Sequence, residues 1–524
     1  MKTNNSSGVF TRRDFVKAAG TAAVGLAGPG FGATPAAAAA RPQVVPRSIH
    51  PQPQKLAWGT GSLRLGSEAI LTVGPALEQP VVELMQGTWR RFTLDALPLT
   101  IRTDAALRGS GFVIGNGRLP PRDSDVTYAV TVDAAGIGAS AADTAALRHA
   151  WFTLLQLLQA TEQGGRGLSF VLPQVEIQDW PALAFRGFHL CVFPETPLHL
   201  LEKAIRLAAF LKATHVVLEF WGMLRLTVLK ELSWPKAWSK EQAGVLIRTA
   251  RGMGLEVIPM FNCWGHAAAS RYRFGRHVVL DQNPRLATLF EPDGWTWCLT
   301  NPRTQALLRE ACDELIEFAG PGRYFHVGCD EARSHATCDA CRETDRVQLF
   351  VDHINKLASF LEQRGRRPIM WGDSLLERAR WRSSGFEANG TPESPTHEAI
   401  DRISRSIVIA DWHYQITKGD LPTLAHFREH GFTTVGCPWD SSDNIRTFAR
   451  AAVAHRSAGL LMTTWDRLPQ CIPTIPFAAA CMWSDRPKGL AAGATAALLR
   501  KLVPAEGDFD RAGWSAFEQQ PVVN

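Results

Sequence analysis

From Phe185 onward the chain repeats one theme eight times: a short apolar run rich in β-branched and aromatic residues, a loop, then a longer amphipathic stretch. The runs cover 185–191, 215–220, 255–261, 324–329, 368–371, 407–412, 433–437 and 459–464. Strands that are apolar on both faces are buried on both sides, and helical spacing between them demands right-handed crossovers joining parallel neighbours. The segments 198–211, 240–253, 304–318, 347–363, 421–430 and 445–455 have that spacing and length. Eight such units in about 300 residues favour a closed (β/α)8 TIM barrel, placed at 179–500, over an open sheet. An open nucleotide-binding sheet lacks support, because no Gly-x-Gly-x-x-Gly follows the first strand and no Walker-type loop occurs.

Upstream of the barrel the pattern differs. Alternation such as 128–132 predicts half-buried strands, and Leu147, Trp151, Leu154, Leu155 and Leu158 recur at helical spacing, so 55–178 reads as a small α+β domain. Pro173 and Pro181 are expected to bracket its junction with the barrel, residues 41–54 with their four prolines to form a linker, and 501–524 a C-terminal tail. Residues 1–40 carry Thr11-Arg12-Arg13-Asp14-Phe15-Val16-Lys17, a weakly apolar run and a small-residue tract. This resembles a twin-arginine export signal, which implies a periplasmic or secreted protein that folds before export. No other stretch has the length of a membrane span. The net charge of +6 is partly owed to that leader, and the remaining basic residues are scattered, which excludes a nucleic-acid surface.

Active sites of such barrels stand at the C-terminal strand ends. Reading those ends in order gives Arg186 and His189; Glu219 and Trp221; Asn262, Trp264 and His266; His326, Asp330 and Glu331; Trp371 and Asp373; Asp411, Trp412 and Tyr414; Trp439 and Asp440; and Trp465 and Asp466. The chain holds 17 Trp and only 4 Tyr, and six of the eight ends carry a Trp. Aromatic faces beside carboxylates suit a neutral polyhydroxylated ligand: the rings meet C–H faces while the acids accept hydroxyl protons. Adjacent acids leaving an apolar strand, as Asp330 and Glu331 do, favour protonation of one of them and so keep a general acid available.

The run His326-Val327-Gly328-Cys329-Asp330-Glu331 resembles the His-x-Gly-Gly-Asp-Glu signature of the family 20 glycoside hydrolases, the β-N-acetylhexosaminidases, with Cys329 in place of the second Gly. The segment 255–259 followed by Gly265-His266 is similar to that family's third strand and its Pro-Gly-His turn, and 185–189 to its first strand. The small domain at 55–178 matches the accessory domain that precedes the family barrel. The resemblance implies a retaining exo-hydrolase acting on terminal β-linked N-acetylhexosamine of glycans or glycoconjugates, with the substrate's acetamido oxygen as nucleophile. Glu331 is then the acid and base, and Asp330 orients the acetamide. Arg186, Glu219, His266, His326, Trp371, Trp412, Tyr414 and Trp465 are the implied substrate-binding residues, and no cofactor or metal is implied.

The chain also departs from that pattern. Asn262-Cys263-Trp264 precedes Gly265-His266 where the family has an acid and Met-Pro, the second strand ends in Glu219-Phe220-Trp221-Gly222, and Arg467 follows Asp466 where many members have Glu. The identity of the sugar stays open for that reason. Two alternatives stay open with it: a non-hydrolytic saccharide-binding protein on the same barrel, and a barrel glycosidase of different sugar specificity using Glu219 and Glu331. Cys329, His335, Cys338 and Cys341 lie within 13 residues. With no second Cys-x-x-Cys, and Cys329 expected inside a strand, a local Cys338–Cys341 disulfide or buried free thiols are expected there rather than a zinc site.

Overall fold

The computed structural model describes residues 48–502 apart from 108, 163–167, 194–195, 235, 268–283, 333, 466–467, 486 and 490–491. The arginine-pair segment and most of the expected C-terminal tail lie outside the described residues, as do Asp466 and Arg467. The first sheet contains β1 (Lys55–Arg64), β2 (Ala69–Val73), β3 (Leu99–Thr103), β4 (Ser110–Gly115), β5 (Tyr128–Val132), β6 (Gly136–Ala141), β7 (Gln159–Glu162) and β8 (Leu168–Asp179). Its order is β1-β8-β5-β6-β4-β2-β3, with β7 also on β8, and all pairs are antiparallel except β2–β3. Helices Gln79–Phe92 and Thr144–Leu157 carry its apolar contacts. Asp143 caps the second by accepting from the Ala146 amide.

The eight later strands are β9 (Phe185–Cys191), β10 (His215–Glu219), β11 (Glu256–Met260), β12 (Tyr324–His326), β13 (Arg367–Trp371), β14 (Val408–Asp411), β15 (Thr433–Gly436) and β16 (Gly459–Met462). Each pairs parallel with the next, and β16 closes on β9, giving the expected (β/α)8 barrel. Most crossovers are amphipathic helices with legible starts. Ser239 and Gln242 form a capping box, Pro302 follows the Asn301 cap, and Asp345 caps the helix Arg346–Glu362. That helix buries Val347, Phe350, Val351, Ile354, Leu357, Ala358 and Leu361 at helical spacing. Between β13 and β14 the crossover is instead a long segment of short helical turns, which delivers Asn389 to the mouth of the barrel.

Three expectations are corrected. Pro173 lies inside β8 rather than at the junction. It faces Ser62, where the register of β1 is irregular, so the ladder amide it lacks falls at a bulge. Residues 48–54 of the expected linker are packed: Gln54 donates to the carbonyls of Trp180 and Trp483, and the His50 ring meets the Pro476 carbonyl at 2.7 Å. Cys329 follows β12 in a turn with φ 70° instead of lying within a strand.

A buried charge cluster joins the two domains. Asp179 at the end of β8 accepts from Lys212 Nζ (3.0 Å), Trp483 Nε1 (2.8 Å), the Gln54 amide (3.0 Å) and the Tyr128 hydroxyl, and both Asp179 and Lys212 are fully buried. Phe210 of the first barrel helix packs beside it on Phe92 and Phe152, with ring centroids 5.3 and 5.1 Å apart. Removing one member of a buried pair strands the other charge in a low dielectric. Asp179→Ala is therefore expected to cost about 3–5 kcal/mol in denaturant unfolding; a loss under about 1 kcal/mol would show that the pair does not hold the domains together.

Candidate active site

The site is built from the turn after β12. Gly328, Cys329 and Glu331 all have left-handed backbone, with φ of 66°, 70° and 46°. Gly328 is required, since a Cβ there would lie 2.2 Å from Asn262 Oδ1. Gly265 of the facing loop is equally constrained, because its Cβ would lie 1.8 Å from the Asp330 carbonyl oxygen. Cys329 holds the same backbone region without glycine's freedom, at a cost of roughly 1–2 kcal/mol. The turn is tight because two loops meet there backbone to backbone. Its result is a pair of consecutive acids with different surroundings: Asp330 is buried, whereas the Glu331 side chain is 40% exposed.

His266 joins the two acids. Its Nε2 lies 3.3 Å from Asp330 Oδ2 and 3.2 Å from Glu331 Oε2, and its ring packs on Trp295 at 4.3 Å. Burial disfavours the imidazolium, but the Asp330 charge and the hydrogen bonds to both acids outweigh it and raise the pKa to about 10. Trp295 also donates Nε1 to the Glu331 carbonyl at 2.8 Å. Asp373, after β13, accepts from the Glu331 amide (3.1 Å), Asn389 Nδ2 (2.6 Å) and Trp412 Nε1 (3.1 Å). Burial, reinforced by the Asp330 charge, pushes Asp373 up to about 7, and burial likewise raises Asp330. Asp330 Oδ1 is buried and has no hydrogen-bond partner among the described residues.

The floor is polar beneath aromatic rings. His189 Nε2 meets Glu219 Oε2 at 2.7 Å, and Asn262 Nδ2 donates to Glu219 Oε1 at 2.7 Å, so both Glu219 oxygens are engaged. Trp371 is fully buried between His326 (4.4 Å) and Trp465 (5.6 Å). Trp465 donates Nε1 to the Tyr414 hydroxyl at 2.6 Å, and Tyr414 packs between Trp412 (5.1 Å) and Trp439 (5.3 Å). A narrow cleft of about 40 Å³ opens beside this group, bounded by Glu219, Asn262 and His266 on one side and by Leu224, Leu226 and Leu229 on the other.

Of the residues expected at the site, Asp330, Glu331, Glu219, His266, Trp371, Trp412, Tyr414 and Trp465 are brought to one end of the barrel. Arg186 is not. Strand alternation turns Phe185 and His189 inward, leaving Arg186 on the outer face at the start of β9. Its guanidinium donates to the carbonyls of Lys212, Leu183 and Ala184 and stacks on Trp483 at 5.0 Å. His326 lies beneath the site: its Nδ1 accepts from the Gly328 amide at 3.1 Å, its Nε2 has no partner among the described residues, and burial with His189 nearby keeps it neutral. Trp264 belongs to the core, packed on Phe350 and His335. Asp373, His189 and Asn262 stand at strand ends and were legible there, but Trp295 and Asn389 come from long loops with no local signal.

Two family models match, "Glycosyl hydrolase family 20, domain 2" over 47–180 and "Glycosyl hydrolase family 20, catalytic domain" over 206–429, together more than half of the chain. The chain belongs to glycosyl hydrolase family 20. A curated relative, Beta-hexosaminidase of Porphyromonas gingivalis, is 24% identical over 362 residues, covering 63% of this chain and 46% of that protein. Hexosaminidase D of Bos taurus is 28% identical over 167 residues, covering 30% of this chain and 44% of its own length. The chain thus spans less than half the length of these curated relatives. Among solved structures, the family 20 exo-β-N-acetylglucosaminidase from Vibrio harveyi in complex with N-acetylglucosamine superimposes with TM-score 0.63 at 15% identity, covering 90% of this chain and 78% of that one. These structural likenesses concern the fold.

The His266 bridge has a measurable consequence. Because its pKa is raised from 6.5 to about 10, the folded state binds a proton there that the unfolded state releases above pH 6.5. The stability it contributes is full below pH 6.5 and is lost as pH rises toward 10. The stability gap between wild type and His266→Gln should therefore narrow across pH 6.5–10 in chemical unfolding; a gap that widens or stays constant would rule out the imidazolium.

Proposed function

We propose that this family 20 glycoside hydrolase is a retaining exo-β-N-acetylhexosaminidase that uses its substrate's acetamide as the nucleophile. The observation that carries the reading is the division between the consecutive acids. Asp330 is held dry beside His266 with Oδ1 unpartnered, whereas Glu331 faces solvent. A buried acceptor without a donor is costly, and a substrate N–H would satisfy it. With the acetamide N–H on Asp330, the acetamide oxygen is aimed at C1 and the positive charge that develops on the resulting ring is met by a fixed carboxylate. Glu331 gives its proton to the departing glycosidic oxygen as the C1–O bond breaks. As a carboxylate it then takes a proton from the water that opens the oxazolinium, so β configuration is retained.

Trp371, Trp412 and Trp465 wall the space around that acetamide, and the Tyr414 hydroxyl is oriented by Trp465 Nε1 toward the same region. Glu219 serves this scheme as a fixed acceptor in the floor, since both its oxygens are committed to His189 and Asn262. The substrate class is glycans or glycoconjugates ending in β-linked N-acetylhexosamine.

Matched aryl glycosides test the reading. The aryl β-N-acetylglucosaminide should be cleaved and the aryl β-glucoside left nearly untouched. Glu331→Gln should lose about 10³-fold in kcat/KM and Asp330→Ala about 10²–10³-fold. Equal turnover of both substrates, or an Asp330→Ala variant with wild-type rate, would refute the substrate-assisted route. Saccharide binding without product release would favour the non-hydrolytic alternative.

We further infer export to the periplasm or beyond from Arg12-Arg13 followed at two residues by Phe15. Lysine at both arginine positions should leave the full-length protein in the cytoplasmic fraction; unchanged fractionation would exclude this route.

A further inference from the structure

We propose that Cys298, Cys338 and Cys341, with Glu291 as fourth ligand, bind a structural zinc ion that clamps the loop after β11 to the loop after β12 and so holds His266 and Trp295 against the two acids. The structure groups different residues from those the sequence spacing suggested. Cys329 stays in its turn with its thiol directed to the Val327 carbonyl, and His335 Nε2 meets the Arg346 carbonyl, whereas Cys298 arrives from 40 residues before Cys338.

Cys298 Sγ lies 3.6 Å from both Cys338 Sγ and Cys341 Sγ, and a carboxylate oxygen of Glu291 lies with the three sulfurs, all within 4.8 Å of one another. Zinc–sulfur bonds of about 2.3 Å in a tetrahedron place sulfurs roughly 3.8 Å apart. A disulfide needs about 2.05 Å. Three thiols also cannot be paired off, since any disulfide among them leaves one over. Thiolates with one hard oxygen suit Zn²⁺ among common divalent ions, and the formal charge of the ligand set equals that of a zinc site made of four cysteines.

Glu291 is an independent observation pointing to a cation. Its carboxylate is 2% exposed and forms no ion pair with Lys, Arg or His among the described residues. Oε2 is held by the Thr337 amide (2.9 Å), the Thr337 hydroxyl (3.1 Å) and the Cys338 amide (2.7 Å). Dipoles orient this group but supply no countercharge, and a buried carboxylate without one is strongly disfavoured. A divalent ion among the sulfurs would offset that.

The surroundings are arranged as a metal site requires. The Cys341 and Arg342 amides both donate to the Cys338 carbonyl (3.0 and 2.9 Å), making the tight turn that brings a Cys-x-x-Cys pair to one side. Thr300 Oγ1 lies 3.1 Å from Cys341 Sγ and 3.4 Å from Cys298 Sγ, where it can donate to a thiolate. Glu291 and Cys298 belong to one short hairpin, closed by Glu291 N–H to Thr296 O (2.7 Å) and Cys298 N–H to Leu289 O (2.9 Å). The same hairpin carries Trp295, which donates to Glu331 and packs on His266. A metal here would cross-link the acid-bearing loop to the loop that bears its cation.

Elemental analysis of the full chain, purified without added metal, should find about one zinc per chain. Native mass spectrometry should show one zinc's mass that disappears in acid. Cys298→Ser and Cys341→Ser should each drop the zinc below about a tenth of an equivalent, and a strong chelator should lower the wild-type Tm. If these variants do not fold, the wild-type stoichiometry and mass still decide. Metal-free native protein, or a peptide map with a disulfide between any two of the three cysteines, overturns the proposal. Zinc content is read independently of hydrolysis, so an inactive protein holding one zinc would refute the hydrolase reading and leave the clamp standing.

Discussion

Two carboxylates on consecutive residues must share one small volume at the mouth of this barrel, and the imidazolium of His266 between them is what makes that tolerable. Unit charges roughly 4 Å apart repel by about 4 kcal/mol at an effective dielectric of about 20. A cation reaching both acids with one nitrogen removes most of that penalty, and its own raised pKa is the counterpart of the same interaction. The rest of the site follows. The left-handed turn through Gly328, Cys329 and Glu331 is needed to present both side chains, and Gly265 is needed to let the His266 loop approach that turn. Asp373 then adds a third acid, which the crowded negative charge and burial leave partly protonated near neutrality.

The barrel wall and the loops divide the work. Residues fixed on strand ends, namely His189, Glu219, Asn262, Trp371 and Asp373, form a floor in which His189 and Asn262 both hydrogen-bond Glu219, while Asp373 reaches out to the Glu331 amide. Asp330 Oδ1 has no partner among the described residues, and the Glu331 side chain, which His266 contacts, is 40% exposed, so both acids are placed where a ligand would be worked on. Loops bring the remaining control through Trp295 and Asn389, and loops gain precision only when something ties them together. The sulfur cluster with Glu291 lies where the β11 and β12 loops meet and would provide such a tie.

Much of the fold was legible because its signals are local. The eight apolar runs match the eight strands to within a residue or two at most ends, and the helices begin at Ser, Asn and Asp caps visible in the chain. The acid pair was legible because it leaves a strand directly. What misled were residues whose meaning depends on direction. Arg186 lies on a site-forming strand but one position out of phase, so the pleat sends it outward to Trp483. His326 lies fully buried beneath the site, with Nδ1 spent on the Gly328 amide. Pro51 and Pro53, in a composition that suggests a loose tether, are buried.

The amino-acid sequence by itself determined the alternation of strand and helix, the barrel, and the adjacent acids at the end of its fourth strand, because hydrophobic period and strand order are properties of neighbours along the chain. The tertiary structure alone decided which groups surround those acids. His266, Trp295, Asp373 and Asn389 are separated from them or from one another by tens of residues, and so are Glu291 and Cys298 from Cys338 and Cys341. Only the folded barrel, which places the ends of distant strands and their loops side by side, converts those separations into contacts of a few ångströms, and no periodicity in the chain records which side chains then meet.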